Sequence, residues 1–214
     1  MKTWIKFCGT TSLDDALASI DAGADALGFI FATSKRRVTM EQAREILRGI
    51  PDRVERIGVF LDESAESIRR YVTELNLTGV QLHGHGSAGD LSGSLGQKHR
   101  ENFRIIKTIV IDNDFSAKLK NLEAAKDVVD AWLLDSGAGS GKTFDWQRVR
   151  TQLGDRKARF IIAGGLNPEN VGEAMKIFTP WGVDVVSGIE REPGRKDPEK
   201  MRAFVAAVRK AEQQ

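Results

Sequence analysis

Along the chain, short apolar runs rich in β-branched residues alternate with longer stretches in which apolar positions recur every three to four residues. The runs 4–8, 26–31, 56–61, 79–82, 104–110, 131–135, 160–163 and 183–187 read as strands. They are nearly all apolar rather than alternating, the pattern of a sheet covered on both faces and therefore parallel. Between them, 13–22 sets Leu13, Ala16, Leu17 and Ile20 on one helical face, and 40–49, 65–75, 145–153, 167–178 and 198–212 repeat that pattern. The segment after the fourth strand is the weakest: 87–96 reads SAGDLSGSLG. Each interior glycine costs about 1 kcal/mol against alanine, so a short, late-starting or mobile helix is expected there.

Eight strands, each followed by a helix, recur at about 25-residue spacing. That alternation leaves an open doubly wound sheet or a closed barrel. The count of eight favours closure, as does the lack of a GxGxxG turn after the first strand, where the chain reads Cys8-Gly9-Thr10-Thr11-Ser12. No composition break marks a linker, so residues 1–214 are expected to form one α/β domain, a single (β/α)₈ barrel.

Composition adds exclusions. An apolar share of 41% is enough for a real core. Lys and Arg number 32 against 30 Asp and Glu, a net charge of +2 with no dominant basic run. Nucleic acid is therefore not expected as a partner, while a small anion is compatible. The single cysteine, Cys8, cannot form an intrachain disulfide and suits a reducing compartment. The opening apolar run is too short for a secretory leader, and no stretch nears the roughly 18 apolar residues of a membrane helix. A cytoplasmic protein that does not engage membranes is expected, as a monomer, with a homodimer as the alternative.

In such a barrel the carboxyl ends of the strands and the loops after them build the site. Here those positions carry Cys8, the Ser34-Lys35-Arg36-Arg37 loop, Asp62, His83, Lys107 and Asp135, then Gly164-Gly165 and Ser187-Gly188. Glycine loops after the last two strands let backbone amides approach a ligand, and that pairing is a recurring phosphate site. Cys8 precedes a turn and helix start whose amides would lower a thiol pKa. Asp135 is followed by loop formers, so it reads as a reacting carboxyl rather than a helix cap. His83 reads equally as a ligand or as a packed barrel residue. Arg36 is suited to grip a carboxylate in bidentate fashion. The three histidines and one cysteine lack metal-ligand spacing, so no metal is expected.

Together these residues resemble the phosphoribosylanthranilate isomerase family. Lys6-Phe7-Cys8-Gly9-Thr10-Thr11 is similar to its first-strand signature, and Ser34-Lys35-Arg36-Arg37-Val38, Gln81-Leu82-His83-Gly84 and Leu134-Asp135 follow in order. Gly139 to Trp146, Ala163-Gly164-Gly165-Leu166-Asn167 and Val186-Ser187-Gly188-Ile189-Glu190 complete a resemblance spanning nearly the whole chain. It implies a step of tryptophan synthesis, in which N-(5-phosphoribosyl)anthranilate becomes 1-(2-carboxyphenylamino)-1-deoxyribulose 5-phosphate without any cofactor. On that resemblance Asp135 is the general acid and Cys8 the general base. Arg36 would hold the anthranilate carboxylate, and Gly164, Gly165, Ser187 and Gly188 the phosphate, with His83 at the substrate. One departure is His85-Gly86 after Gly84, where the family commonly has acids.

Rival readings are weaker. Gly139-Ser140-Gly141-Lys142-Thr143 lacks the glycine that a nucleotide-binding Walker loop wants, since that position is Ser136. Another phosphosugar barrel enzyme, or a catalytically silent phosphate-binding barrel, are the alternatives; Cys8 together with Asp135 argues against both.

Overall fold

The apolar runs pair in the order in which they occur. In the computed structural model, which describes residues 2–84, 88–95, 103–137 and 143–213, eight parallel strands close into a barrel. They are β1 (Trp4–Cys8), β2 (Ala26–Ile30), β3 (Glu55–Leu61), β4 (Gly79–His83), β5 (Arg104–Val110), β6 (Ala131–Asp135), β7 (Phe160–Ile162) and β8 (Gly182–Val185). Around them run α1 (Leu13–Ala22), α2 (Met40–Arg48), α3 (Ala65–Leu75) and α4 (Ala88–Leu95), then α5 (Phe115–Lys118), α6 (Asn121–Ala124), α7 (Trp146–Leu153), α8 (Val171–Phe178) and α9 (Pro198–Ala211). The expected (β/α)₈ barrel is the fold.

Caps set several helix starts. Ser12, Ser64 and Asp145 accept from the backbone N–H groups of Asp15, Ser67 and Arg148, and Thr39 with Gln42 forms a reciprocal capping box. Asp197 caps α9, and Pro198 takes the first turn, where its missing N–H costs nothing.

Beyond shifts of one residue at element ends, the larger differences from the sequence reading are these. The helix after β7 starts at Val171 rather than 167, because Asn167 accepts the N–H groups of Glu169 and Asn170 and holds a turn there. β8 stops at Val185, and Ser187 lies in a single 3₁₀ turn (Ser187–Ile189) that leads into the small hairpin β9 (Glu190–Glu192) and β10 (Arg195–Lys196). Between β5 and β6 the expected helix is two single turns, α5 and α6. The weak fourth helix does form, with Gly89 and Gly93 inside it; Ser87, Gly96 and the His85-Gly86 departure lie outside the described residues.

Strand alternation sends successive side chains to opposite faces, which makes two cores. Phe7, Leu27, Phe29 and Phe60 face the helices. Trp4, Ala26, Ile57, Ile106, Ala131, Leu133 and Ile161 fill the barrel interior. Trp4 stacks on Trp181 at 5.1 Å, and Arg104 covers Trp181 while gripping Glu55 through two bonds of 2.8 Å, sealing the amino-terminal end. The interior turns polar toward the other end, where Lys6, Gln81, Thr108 and Asp184 are buried.

The closing helix is fastened to the first strand by Phe204, fully buried with its ring 6.0 Å from that of Phe7. Phe204→Ala should cost about 3–5 kcal/mol in chemical denaturation, the range for a large aromatic side chain emptied from a core; a loss below about 1 kcal/mol would contradict this packing role.

Candidate active site

A cavity of about 510 Å³ opens at the carboxyl end of the barrel. Cys8, Arg36, His83, Asp135, Gly164, Gly165 and Ser187 all line it, so seven of the eight residues singled out from the sequence meet in one place. Gly188 does not line the cavity. A Cβ built there would lie 1.9 Å from the Leu166 carbonyl oxygen, so this glycine lets the β7 and β8 loops pack against each other. Gly164 and Gly165 both have positive φ, +77° and +68°, and a Cβ on Gly164 would meet the Ser136 backbone nitrogen at 2.7 Å. The two glycine loops thus interlock through backbone contacts that no larger residue permits. A second cavity, of about 520 Å³, lies at the opposite end. Of its charged lining groups, Lys2 pairs with Asp25 and Glu55 is held by Arg104, and it holds none of the candidate residues.

Cys8 ends β1 and is 3% exposed. Its partner in register is Gly28, where a Cβ would fall 2.6 Å from the sulfur, so the glycine makes the space that the thiol occupies. The turn amides expected to lower its pKa are already used, because the N–H groups of Gly9 and Thr10 both donate to the Gly28 carbonyl at 3.0 Å. Burial instead pushes the thiol up, and the main opposing influence is the Lys6 ammonium. The resting residue is therefore a thiol, with a cation beside it ready to support the thiolate.

Asp135 at the end of β6 is also pushed up, first by burial and then by the Asp184 carboxylate; the Gly137 N–H, donating to Oδ1 at 3.1 Å, opposes this. A carboxyl shifted in this direction suits a proton donor. Among the described residues it caps no helix.

His83 is pressed from its ordinary 6.5 to about 4, by burial and by the Lys6 charge. Its Nε2 lies 2.8 Å from the Gln81 amide nitrogen. With that amide donating, Nε2 is the acceptor and the ring proton sits on Nδ1. At neutral pH it is an uncharged group at the cavity wall.

Arg36 reaches the cavity with its fork partly engaged: Nε and Nη2 donate to the two Glu190 oxygens at 2.8 and 2.6 Å. Glu190 in turn lies 3.3 Å from the Nζ of Lys196, which is buried and donates to the Cys8 carbonyl at 2.6 Å. Sequence reasoning gave Arg36 no protein partner and passed over Glu190, Lys196, Lys6 and Asp184 as site residues. The signal for the last two was present, since Lys6 and Asp184 are charges inside otherwise apolar strand runs, where an unpaired charge is almost never found.

The depressed His83 carries a stability consequence. Below 6.5 the unfolded chain takes up a proton that the folded chain refuses until about 4, so stability falls with acidification across that window. The loss from this one group is about 3 kcal/mol. An imidazole resonance of His83 titrating near 4 by NMR is the expected result, and a midpoint at its ordinary 6.5 would contradict the buried setting.

The comparisons with known proteins point to one family. The family model described as N-(5'phosphoribosyl)anthranilate (PRA) isomerase matches residues 5–207. The N-(5'-phosphoribosyl)anthranilate isomerase of Listeria monocytogenes serotype 4b (strain F2365) is 38% identical over 209 residues, covering 97% of this chain and 99% of the relative. Among solved structures, phosphoribosyl anthranilate isomerase from Thermotoga maritima superposes with a TM-score of 0.83 at 36% identity, over 97% of this chain and 99% of that one. A phosphoribosyl anthranilate isomerase in complex with reduced 1-(o-carboxyphenylamino)-1-deoxyribulose 5-phosphate gives 0.79 at 34% identity, with the same coverage. The chain belongs to the N-(5'-phosphoribosyl)anthranilate isomerase family.

Proposed function

We propose that this chain isomerises N-(5-phosphoribosyl)anthranilate to 1-(2-carboxyphenylamino)-1-deoxyribulose 5-phosphate, a step of tryptophan synthesis, with Asp135 as general acid and Cys8 as general base. The observation that carries the assignment of roles is the meeting of a buried thiol and an upshifted carboxyl at one cavity bordered by two interlocked glycine loops. The Asp135 proton goes to the furanose ring oxygen as the C1′–O bond breaks, leaving an iminium at C1′ and a hydroxyl at C4′. The Cys8 thiolate then takes the C2′ proton, and the C–H electron pair flows toward the iminium nitrogen to give an enolamine. Tautomerisation of that enolamine, with C1′ gaining a proton and the C2′ hydroxyl losing one, yields the aminoketose. Protons move and no net electrons are exchanged, so the chemistry asks for positioned acid and base rather than a redox group.

The backbone N–H groups of Gly164, Gly165 and Ser187 are the proposed phosphate donors, with Gly188 acting through the packing of its loop on Leu166. Arg36 is the proposed carboxylate holder. Glu190 fixes its orientation through two of its five N–H bonds and so pre-organises the remainder. Neutral His83 is proposed as a polar wall toward the sugar hydroxyls. A cytoplasmic, monomeric enzyme remains our reading; the single thiol fits a reducing compartment.

The test is loss of anthranilate-type fluorescence with substrate generated in situ and no added cofactor. Cys8→Ala and Asp135→Ala should each lower kcat by about 10²–10⁴-fold, the usual weight of a positioned proton-transfer group. Activity surviving in Cys8→Ala would remove the base assignment, and an inactive parent that still binds product would make the chain a silent relative. Gly188→Ala should separate binding from chemistry, raising KM by about tenfold while kcat falls less, because it disturbs the phosphate loops and neither proton-transfer group. An unchanged KM would count against the phosphate placement.

A further inference from the structure

Two buried charges have no part in the roles above. Lys6 on β1 and Asp184 on β8 are paired in the strand register that closes the barrel, with Nζ 2.6 Å from Oδ1 and side chains 0% and 6% exposed. Lys6 stands two residues before Cys8 on the same inward face, and its charge is the main influence that opposes burial at the Cys8 thiol. Asp184 lines the cavity with Asp135 and acts electrostatically on that carboxyl. A buried ion pair is a weak source of stability and can often be replaced by apolar side chains of equal volume. Packing alone therefore does not account for a pair set between the two reacting groups.

We propose that the Lys6–Asp184 pair is the positioning device of the acid–base couple, a fixed dipole with its positive end at the Cys8 sulfur and its negative end beside the Asp135 carboxyl. This rests on the roles proposed above for Cys8 and Asp135. The reactive form has a thiolate and a neutral carboxyl, whereas ordinary acidities favour the reverse by four to five pH units, about 8.5 for cysteine against 3.9 for aspartate. Reaching the reactive form moves one proton from the Cys8 sulfur to an Asp135 oxygen and one negative charge the other way. No electrons are gained or lost. The ammonium of Lys6 stabilises the charge where it arrives, and the carboxylate of Asp184 disfavours it where it leaves. Each pH unit by which the gap closes raises the reactive population about tenfold.

The other charges around the two groups act on one end only. Lys196 on β10 and Arg36 in the loop after β2 face the sulfur, and both are tied to Glu190. Around Asp135 the further groups are the Gly137 N–H and the Ser136 hydroxyl, which donate to it. His83 on β4 is neutral at pH 7, and Lys107 on β5 bears on His83 rather than on the couple. Among the described residues, Lys6 and Asp184 are the charges that act on both the thiol and the carboxyl.

The test removes the dipole and keeps its volume: Lys6→Met with Asp184→Asn in the full chain. Cys8 is the only cysteine, so iodoacetamide alkylation against pH reads its thiolate directly, without turnover. The expected result is an alkylation midpoint displaced to higher pH and a kcat–pH bell whose two limbs move apart. The plateau should fall by about tenfold for each pH unit of widening, with KM little changed. Lys6→Met alone should also displace the alkylation midpoint to higher pH, because the thiolate then lacks the cation beside it. A folded variant with an unmoved alkylation profile and parental kcat would overturn the proposal. So would failure of both variants to fold, which would make the pair part of the scaffold. If Cys8→Ala and Asp135→Ala themselves keep activity, the catalytic roles fail. If those two collapse while the charge-free variant stays at full rate, the dipole alone fails.

Discussion

The constraint on which the site depends is the pairing of the first strand with the last. β1 and β8 lie side by side only because the sheet closes, and their register sets Lys6 directly against Asp184. The same closure brings Lys196 onto the Cys8 carbonyl, 188 positions away in the chain. It also allows Glu190, just after β8, to fix the orientation of Arg36 after β2. An open sheet of the same strands would leave each of these charges without its partner. Burial is tolerable for them because closure supplies the partner and the burial at once.

Closure also explains the two-tone interior. Small and branched side chains such as Ala26, Ile57, Ala131 and Ile161 fill its amino-terminal half, and paired polar groups fill the other. The apolar half excludes water from beneath the reacting groups. That low-polarity setting pushes both Cys8 and Asp135 up, which helps the proposed acid and hinders the proposed base. On the proposed roles, the compensating cation beside the thiol becomes a requirement of the chemistry rather than an accident of packing.

Much of this was readable in the residues. Nearly all-apolar strand runs argued for a parallel sheet with both faces covered, their number argued for a barrel, and the polar residues at the strand ends fell together at one mouth. What the pattern could not convey was partnership. A run such as Trp4–Cys8 does not say which side chains face the axis, so Lys6 looked like an interruption rather than half of a pair spanning 178 positions. The turn after β1 looked like a source of amide donors, yet its first two N–H groups already serve the neighbouring strand. Arg36 was legible as a candidate anion binder, while its link to Glu190 needed the closed barrel. The helix expected after β5 is replaced by two single turns, although Phe115, Leu119, Leu122 and Val129 recur at helical spacing and are all buried.

The most direct test of the central claim, that one cavity holds phosphate, sugar and aromatic acid in register with Cys8 and Asp135, is a crystal structure of this chain with reduced 1-(o-carboxyphenylamino)-1-deoxyribulose 5-phosphate. The account predicts the phosphate on the backbone N–H groups of Gly165 and Ser187 and the carboxylate on Arg36. The C2′ carbon should lie within about 4 Å of the Cys8 sulfur, close to a near-attack distance. A ligand seated with its phosphate away from the two glycine loops, or with C2′ remote from Cys8, would contradict it.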